Sequence, residues 1–442
     1  MLLLNFIVAF VLIVLYTIYL LKRHTKSIPF LVLFLVYLYW CFISIVYIDN
    51  GIYISEQASY SYFTGASFRF VIIILPFILG VPLFFDFFTK KVALKNMKIH
   101  FFKVKEQYIS IIVWLLSFLL CLYLILDEII SGIPLFSSEI LQFNYYSTFS
   151  KLPMTEFLSS LFLGYMLLMC GVFFYENKRL LHKFKFIIIY LLAVIYRILL
   201  GEKFYPFVLY TIIFFMPSII DNFDKQCRSV ILFIRKNSKL IRRLCLLMII
   251  LIGVAYYKYS LEESYTYANP FEHLISRIFA LQSHTFWGVD NYMITNNLGF
   301  DADRIIKEIH YGFIGTDILN SEYGLARIMY TISPESIVDM YLSRSTRFYG
   351  GYWTIAVSCF GFFLTPIYST FIAFLCGFIS SILYTTIKNK EYIAMFISFN
   401  AYFNLFKYFN EGDFTFLLSK RMMVSIVLLI FYMLIKNAKY KK

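Results

Sequence analysis

A chain of 442 residues that is 60% hydrophobic and 15% charged, with apolar runs of roughly 20 residues recurring along it, does not fold as a water-soluble globule. The runs are continuous rather than alternating, which excludes a membrane barrel and leaves helices that satisfy their own backbone groups in lipid. A net charge of +14 would point to nucleic acid in a soluble chain, but here the charge sits in the loops between apolar runs, so no nucleic-acid partner is expected.

The expected fold is an all-α polytopic integral membrane protein of about 11 transmembrane helices with a helical extracytoplasmic loop domain. In chain order the spans are Leu2 to Leu21, Ile28 to Ile48, Phe68 to Phe88, Tyr108 to Leu126, Phe157 to Phe174, Phe186 to Leu200, Phe204 to Ile220, Leu244 to Ala255, Trp353 to Tyr384, Tyr392 to Lys407 and Met422 to Lys436. The first lacks a basic leader and a small-residue cleavage site and reads as a retained span. The ninth is long enough to hold a short additional helix, broken near Pro366. Three regions follow: residues 1–260 with about eight spans, the polar interval 261–351, and residues 352–442 with about three.

Loop charge sets the orientation. Placing the N-terminus outside and the C-terminus in the cytoplasm collects 26 of the 40 basic residues on the inner side. The 261–351 interval then lies outside the membrane. Seven cysteines without a CxxC pair and six histidines without HExxH suggest neither a disulfide framework nor a metal site.

The polar interval carries its own helix punctuation. Asn269-Pro270-Phe271-Glu272 opens a helix on which His273, Arg277, Leu281, His284 and Gly288 share a face, putting Arg277 and His284 about 10 Å apart. Asp301 caps a second helix that buries Ile305, Ile306 and Ile309 and stops at Gly312. Further helices are expected over Ser321 to Ile332 and from Ser333-Pro334-Glu335 to about Ser343. Such a cluster of short helices on an outer face reads as a lid or substrate platform.

Ionisable groups at outer span ends are the scarce resource, because charge near membrane depth is costly. Four groups stand out: Arg197, Glu202 and Lys203 around a tight turn; Arg277 with His284; Arg344 and Arg347 before the ninth span; and Glu411 and Asp413 in a short outer turn, with Lys420 and Arg421 following. Guanidinium forks suit a diphosphate, and a carboxylate among them suits a general base for a sugar hydroxyl. Phe279, Phe286, Trp287, Tyr292, Phe348, Tyr349, Tyr352 and Trp353 offer faces for sugar stacking. Each has a plainer reading: snorkelling cations, a surface pair of Glu202 with Lys203, a hydrogen-bonded interface histidine, an aromatic belt.

The eleven-span outline with a late outer loop resembles the Wzy-type polymerases that join lipid-linked oligosaccharide repeat units into O-antigen and related surface polysaccharides. The local texts that carry the resemblance are Leu200-Gly201-Glu202-Lys203, the run Arg277 to Trp287 containing Gln282 and His284, Arg347-Phe348-Tyr349-Gly350-Gly351-Tyr352, and Glu411-Gly412. The resemblance implies a metal-independent glycosyltransferase, without cofactor, at the outer face of the bacterial inner membrane. Its substrates would be undecaprenyl-diphosphate-linked oligosaccharides, and its partners membrane lipids, a chain-length regulator and a flippase. Arg197, Lys203, Arg277, Gln282, Trp287, Arg344, Arg347 and Arg421 would bind diphosphate and glycan, and Glu411, Glu202 or His284 would be the base. An O-antigen ligase and a lipid-linked oligosaccharide flippase are the alternatives.

Overall fold

A computed structural model describes residues 23–93, 106–137, 145–177, 179–202, 205–225, 270–315, 320–343 and 346–440, with isolated positions elsewhere. The described chain is nearly all helix, with one two-residue strand pair, Tyr53–Ile54 against Ser59–Tyr60. In order the helices are α1 (Ile28–Ile48), α2 (Ala66–Ala93), α3 (Glu106–Ser131), α4 (Leu163–Glu176), α5 (Leu180–Leu199), α6 (Tyr205–Lys225), α7 (Pro270–Phe279), α8 (His284–Thr295), α9 (Ala302–Ile314), α10 (Gly324–Ile332), α11 (Glu335–Ser343), α12 (Gly351–Asn389), α13 (Tyr392–Glu411), α14 (Phe414–Leu417) and α15 (Lys420–Tyr440).

Seven helical stretches among the described residues are long and apolar enough to cross a membrane: Thr25–Ile48, Ala66–Lys90, Glu106–Phe136, Thr155–Glu176, Pro206–Phe223, Gly351–Asn389 and Phe414–Lys436. The protein is an all-α membrane protein. Of the eleven expected spans, Leu2 to Leu21 and Leu244 to Ala255 lie outside the described residues apart from isolated positions. Phe186 to Leu200 and Tyr392 to Lys407 are helical but do not count as crossings, the first because its helix carries Lys183, Lys185 and Arg197 and the second because it is less apolar. For α13 the reason is burial: Met395, Phe399, Tyr402, Phe406 and Phe409 are all enclosed, together with Ser398 and Asn400. A helix ringed by protein needs no lipid-compatible surface.

Two compact units share the chain, Met1–Met97 with Ile275–Lys442, and Lys98–Leu274. They cut across the linear division at 260 and 351, because the first and last parts of the chain fold together with most of the polar interval.

In the first unit the aromatic content becomes core. The Phe34 ring meets Tyr402, Phe406 and Phe409 edge-on at 5.7, 5.2 and 4.8 Å, and Trp353 meets Phe70 and Phe409 at 5.1 and 5.3 Å. Edge-to-face pairs of this kind add about 0.5–1.5 kcal/mol each beyond their area burial. Small residues bring α2 and α12 together: a Cβ on Gly80 would lie 2.9 Å from that of Ala373, and one on Gly377 would lie 2.6 Å from that of Phe84.

The α12 run is two helices. Gly361 has φ 66° and ψ 177°, which breaks the run five residues before Pro366, where the break was expected. Only glycine tolerates that φ here, with the Gly299 backbone packed against it. The first half, from Gly351, is buried throughout to Cys359. Its freed carbonyls are taken up by α9: the Asp301 N–H donates to the Cys359 carbonyl at 2.9 Å and the Arg304 guanidinium to the Ser358 carbonyl at 3.4 Å. A cation at a helix C-terminus also complements its dipole.

The helix expected to run from Pro270 past His284 is two, α7 and α8, so Arg277 and His284 do not share a face. The intervening turn is fixed by donors on α1. Trp40, Ser44 and Cys41 donate to the carbonyls of Ile278, Ala280 and Gln282. Carbonyls recruited by a neighbouring helix are lost to the local ladder. The turn at Ile278 to Gln282 therefore lies alongside α1 and not beyond its end.

The second unit packs α3, α4, α5 and α6. α4 and α6 meet closely at Gly171, where any side chain would collide with the Phe214 carbonyl.

Candidate functional site

The first unit gathers ionisable groups at the junction of the polar interval with the buried helices. Arg347, in the extended segment before α12, donates to Asp413 at 2.7 Å; the two side chains are 11% and 0% exposed. Asp413 also caps α14, accepting from the Thr415 N–H at 2.9 Å and its hydroxyl at 2.8 Å. Glu411 ends α13 two residues earlier, under the influence of Arg347 and Lys407. Two backbone positions bring these segments together. Gly412 has φ 74° and abuts the Gly351 carbonyl, and any side chain there would collide with it.

This turn was expected at an outer surface. Instead the Tyr37 hydroxyl donates to the Asn410 carbonyl at 2.9 Å, and the Phe409 ring lies against Tyr37 and Phe77. Tyr37 is mid-way along α1, so the turn is sunk by about 16 Å from the Ile48 end at 1.5 Å per residue. The physical reason is the aromatic core: Phe409 and Trp353 are drawn into it and take the turn along.

α9 supplies the rest. Asp301 caps it as expected, accepting from the Arg304 N–H at 2.9 Å, but it runs past Gly312 to a left-handed Gly315. Gly312 is instead a contact point, where a Cβ would lie 3.0 Å from the Phe414 carbonyl. The expected buried face is also overturned: Ile306 and Ile309 are exposed, whereas Arg304, Glu308, Tyr311 and Gly312 face the protein. Glu308 accepts from the Gly324 N–H at the start of α10 with both oxygens, at 3.0 and 3.1 Å. Burial raises its carboxyl to about 7, although that N–H, Arg304 and Arg327 favour the charged form; Asp413 adds to the rise. Burial likewise lowers Arg304, with Arg327 adding to the effect. For Arg347 burial works the same way, but the Asp413 carboxylate outweighs it and holds the guanidinium above its usual value. Burial raises Glu411, against Lys407 and Arg347.

The cluster thus links Arg304, Arg327, Arg347 and Lys407 with Glu308, Glu411 and Asp413. Four cationic side chains meet three carboxyls, one of them raised to about 7 by burial, so cationic charge is in excess. The arrangement can hold an anion and has a buried carboxyl able to exchange a proton near neutrality.

A second feature of this unit was not singled out in the sequence. Arg69, in the first turn of α2, grips Asp290 of α8 through Nε at 2.9 and 3.1 Å and through a second nitrogen at 2.5 Å. Both line a cleft of about 230 Å³ with Met293, Asn297, Leu298, Val357 and Phe362. An arginine in the first turn of a span was the available signal.

The other nominated residues fall elsewhere. His284 is buried, its Nδ1 is 3.1 Å from the Leu281 carbonyl, and its ring packs on Phe348 at 4.9 Å. Trp287 is buried and donates to Asp49 at 3.1 Å, so it offers no open face to a sugar. Phe286, Phe348, Tyr352 and Trp353 are likewise core residues, while Phe279, Tyr292 and Tyr349 keep exposed faces. Gln282 is half-buried in the turn before α8, and Arg421 is exposed in the first turn of α15. Arg277 lies on α7, but its side chain is outside the described residues, as are Lys203 and Arg344.

In the second unit Arg197 and Glu202 meet at 2.6 Å. The same guanidinium donates to the Tyr210 hydroxyl and, at 2.8 Å, to the Ser159 carbonyl. Ser159 donates to Tyr146, whose hydroxyl lies 2.6 Å from that of Tyr196. Glu128 of α3, fully buried, feels both Arg197 and Glu202, and neither of its carboxylate oxygens has a hydrogen-bond partner among the described residues.

Residues 320–426 match the model of a family of unknown function, DUF6418. The matched stretch contains Arg347, Glu411 and Asp413, and leaves out Arg304, Glu308, Arg69 and Asp290. No curated protein and no solved structure matches the chain.

Proposed function

We propose that this protein is a glycosyltransferase of the Wzy type, joining undecaprenyl-diphosphate-linked oligosaccharide repeat units into a surface polysaccharide. By the loop-charge rule it works at the outer face of the bacterial inner membrane, with its N-terminus outside and its C-terminus cytoplasmic. The observation that carries the reading is the ion pair of Arg347 with the buried Asp413, 66 residues apart in sequence, with Glu411 two residues from Asp413, in a cluster with cationic excess. Arg347 holds the departing diphosphate, on which charge builds as the glycosidic carbon–oxygen bond breaks. Glu411 accepts the proton of the acceptor hydroxyl as its oxygen bonds to the anomeric carbon. On this reading Arg277 and Arg421 are further diphosphate contacts at the membrane surface, and the Arg69 cleft is a second anchoring place, as two lipid-linked substrates require.

The test is chain growth in proteoliposomes given only undecaprenyl-linked repeat units. Ladders from the native protein, lost in Arg347→Ala while the protein stays folded in the membrane, support the reading. No growth until a lipid A core is added would instead make it a ligase, and transbilayer movement of the substrate without growth would make it a flippase.

A further inference from the structure

α9 divides its circumference in three. Successive residues turn by 100°, so Arg304, Glu308, Tyr311 and Gly312 occupy one sector, and all are buried. The next sector holds Ala302, Ile305, Ile306, Ile309 and Phe313. Ile306 is 65% and Phe313 50% exposed, and Ile309 is exposed too. The third sector holds Asp303, Lys307 and His310, all exposed, with Ile314 of the last turn, 54% exposed, among them. A helix with water on every free side would not present an unbroken isoleucine and phenylalanine stripe between a charged buried face and a charged open one. The apolar stripe also continues into surface that belongs to a crossing. Gly299 and Phe300, just before α9, pack on the break at Gly361. Beyond that break the span exposes Phe363, at 86%, with Ile367 and Phe371 one and two turns on.

We infer that α9 lies flat in the membrane boundary, with Ile306, Ile309 and Phe313 in hydrocarbon, Asp303, Lys307 and His310 in water, and the Arg304–Glu308 face against the protein. The partner of this surface is the phospholipid leaflet itself. α9 is then the lipid-side wall of the Glu308, Arg347 and Asp413 cluster, so that a single helix separates those charges from the bilayer. The inference does not depend on the reaction proposed above.

The full-length native chain is reconstituted in vesicles of phosphatidylethanolamine and phosphatidylglycerol containing a phospholipid with a diazirine in its acyl chain. It is irradiated, digested, and its adducts are mapped by mass spectrometry. Adducts at Ile306, Ile309 and Phe313 should match those at Phe363 and Ile367, and exceed those at Lys307 and His310 on the order of tenfold, since a flat helix immerses one face. In parallel, a water-soluble acylating reagent should modify Lys307. Lipid adducts on Phe363 and Ile367 with none on α9 would overturn the inference. So would adducts no more frequent at Ile306, Ile309 and Phe313 than at Lys307 and His310, since a flat helix immerses one face.

Discussion

Two arginines, Arg197 and Arg347, pair with carboxylates at nearly equal distances, 2.6 and 2.7 Å, in two different units of the chain. Their surroundings differ. Arg197 is enclosed by the Tyr210 hydroxyl, the Ser159 carbonyl and a Tyr146–Tyr196 hydroxyl pair, a shell of mostly uncharged groups around one ion pair, with the buried Glu128 in its field. Arg347 belongs to a run of charges of both signs, supplied by α9, α10, α13 and the turn before α14, including a carboxyl poised near neutrality. A saturated guanidinium is well suited to holding helices together. A crowded cluster whose protonation is finely balanced is where an anionic substrate and a proton can be handled.

Asp413→Ala is the strongest way to probe this contrast. It leaves Arg347 buried without its carboxylate and removes the α14 cap, and should destabilise the protein by about 3–5 kcal/mol in thermal unfolding in detergent. A loss below 1 kcal/mol would mean that the pair does not organise the junction. Gly412→Ala places a Cβ against the Gly351 carbonyl at positive φ, with an expected cost of roughly 2–4 kcal/mol. Retained stability there would show that the two turns do not need backbone contact.

Glu308 gives a pH signature. Its folded-state value, about 7, lies above that of an unfolded glutamate, so the folded state keeps a proton that the unfolded state releases first. Stability from this group is complete below the unfolded value and is lost as pH rises to about 7, by roughly 3 kcal/mol. Arg304, Arg327 and Asp413 face it and set the window. Glu308→Gln should flatten melting temperatures measured from pH 4 to pH 8; an unchanged slope would assign it to another group.

Arg347→Lys keeps the charge but loses the fork. Stability should fall by about 1 kcal/mol while chain growth drops on the order of 100-fold. Arg197→Lys should reverse that ranking, with stability hit harder than growth; equal behaviour of the two variants would erase the distinction drawn between them. Trp287→Phe removes the bond to Asp49 and part of the buried ring that packs on Tyr62, at about 2–3 kcal/mol, and should leave growth intact.

Local and compositional features were legible in the chain itself. Apolar run length dictated a helical membrane protein, and the Asp301 cap and the Pro270 helix start were set by residues within one turn of each other. Arg347, Glu411 and Asp413 could each be nominated, because charges beside long apolar runs are rare. Their meeting was not legible, because it depends on Gly412 and Gly351 touching and on Phe409 and Trp353 sinking into one aromatic core.

Tertiary structure also reversed local expectations. Donors on α1 capture the carbonyls that would have continued α7 into α8. The α9 helix buries Arg304 and Glu308 and exposes Ile306, because its neighbours supply a C-terminal carbonyl and an N-terminal N–H while lipid accepts the isoleucines. Sequence periodicity finds an apolar face, but whether that face meets protein core or bilayer depends on what the rest of the chain places beside it.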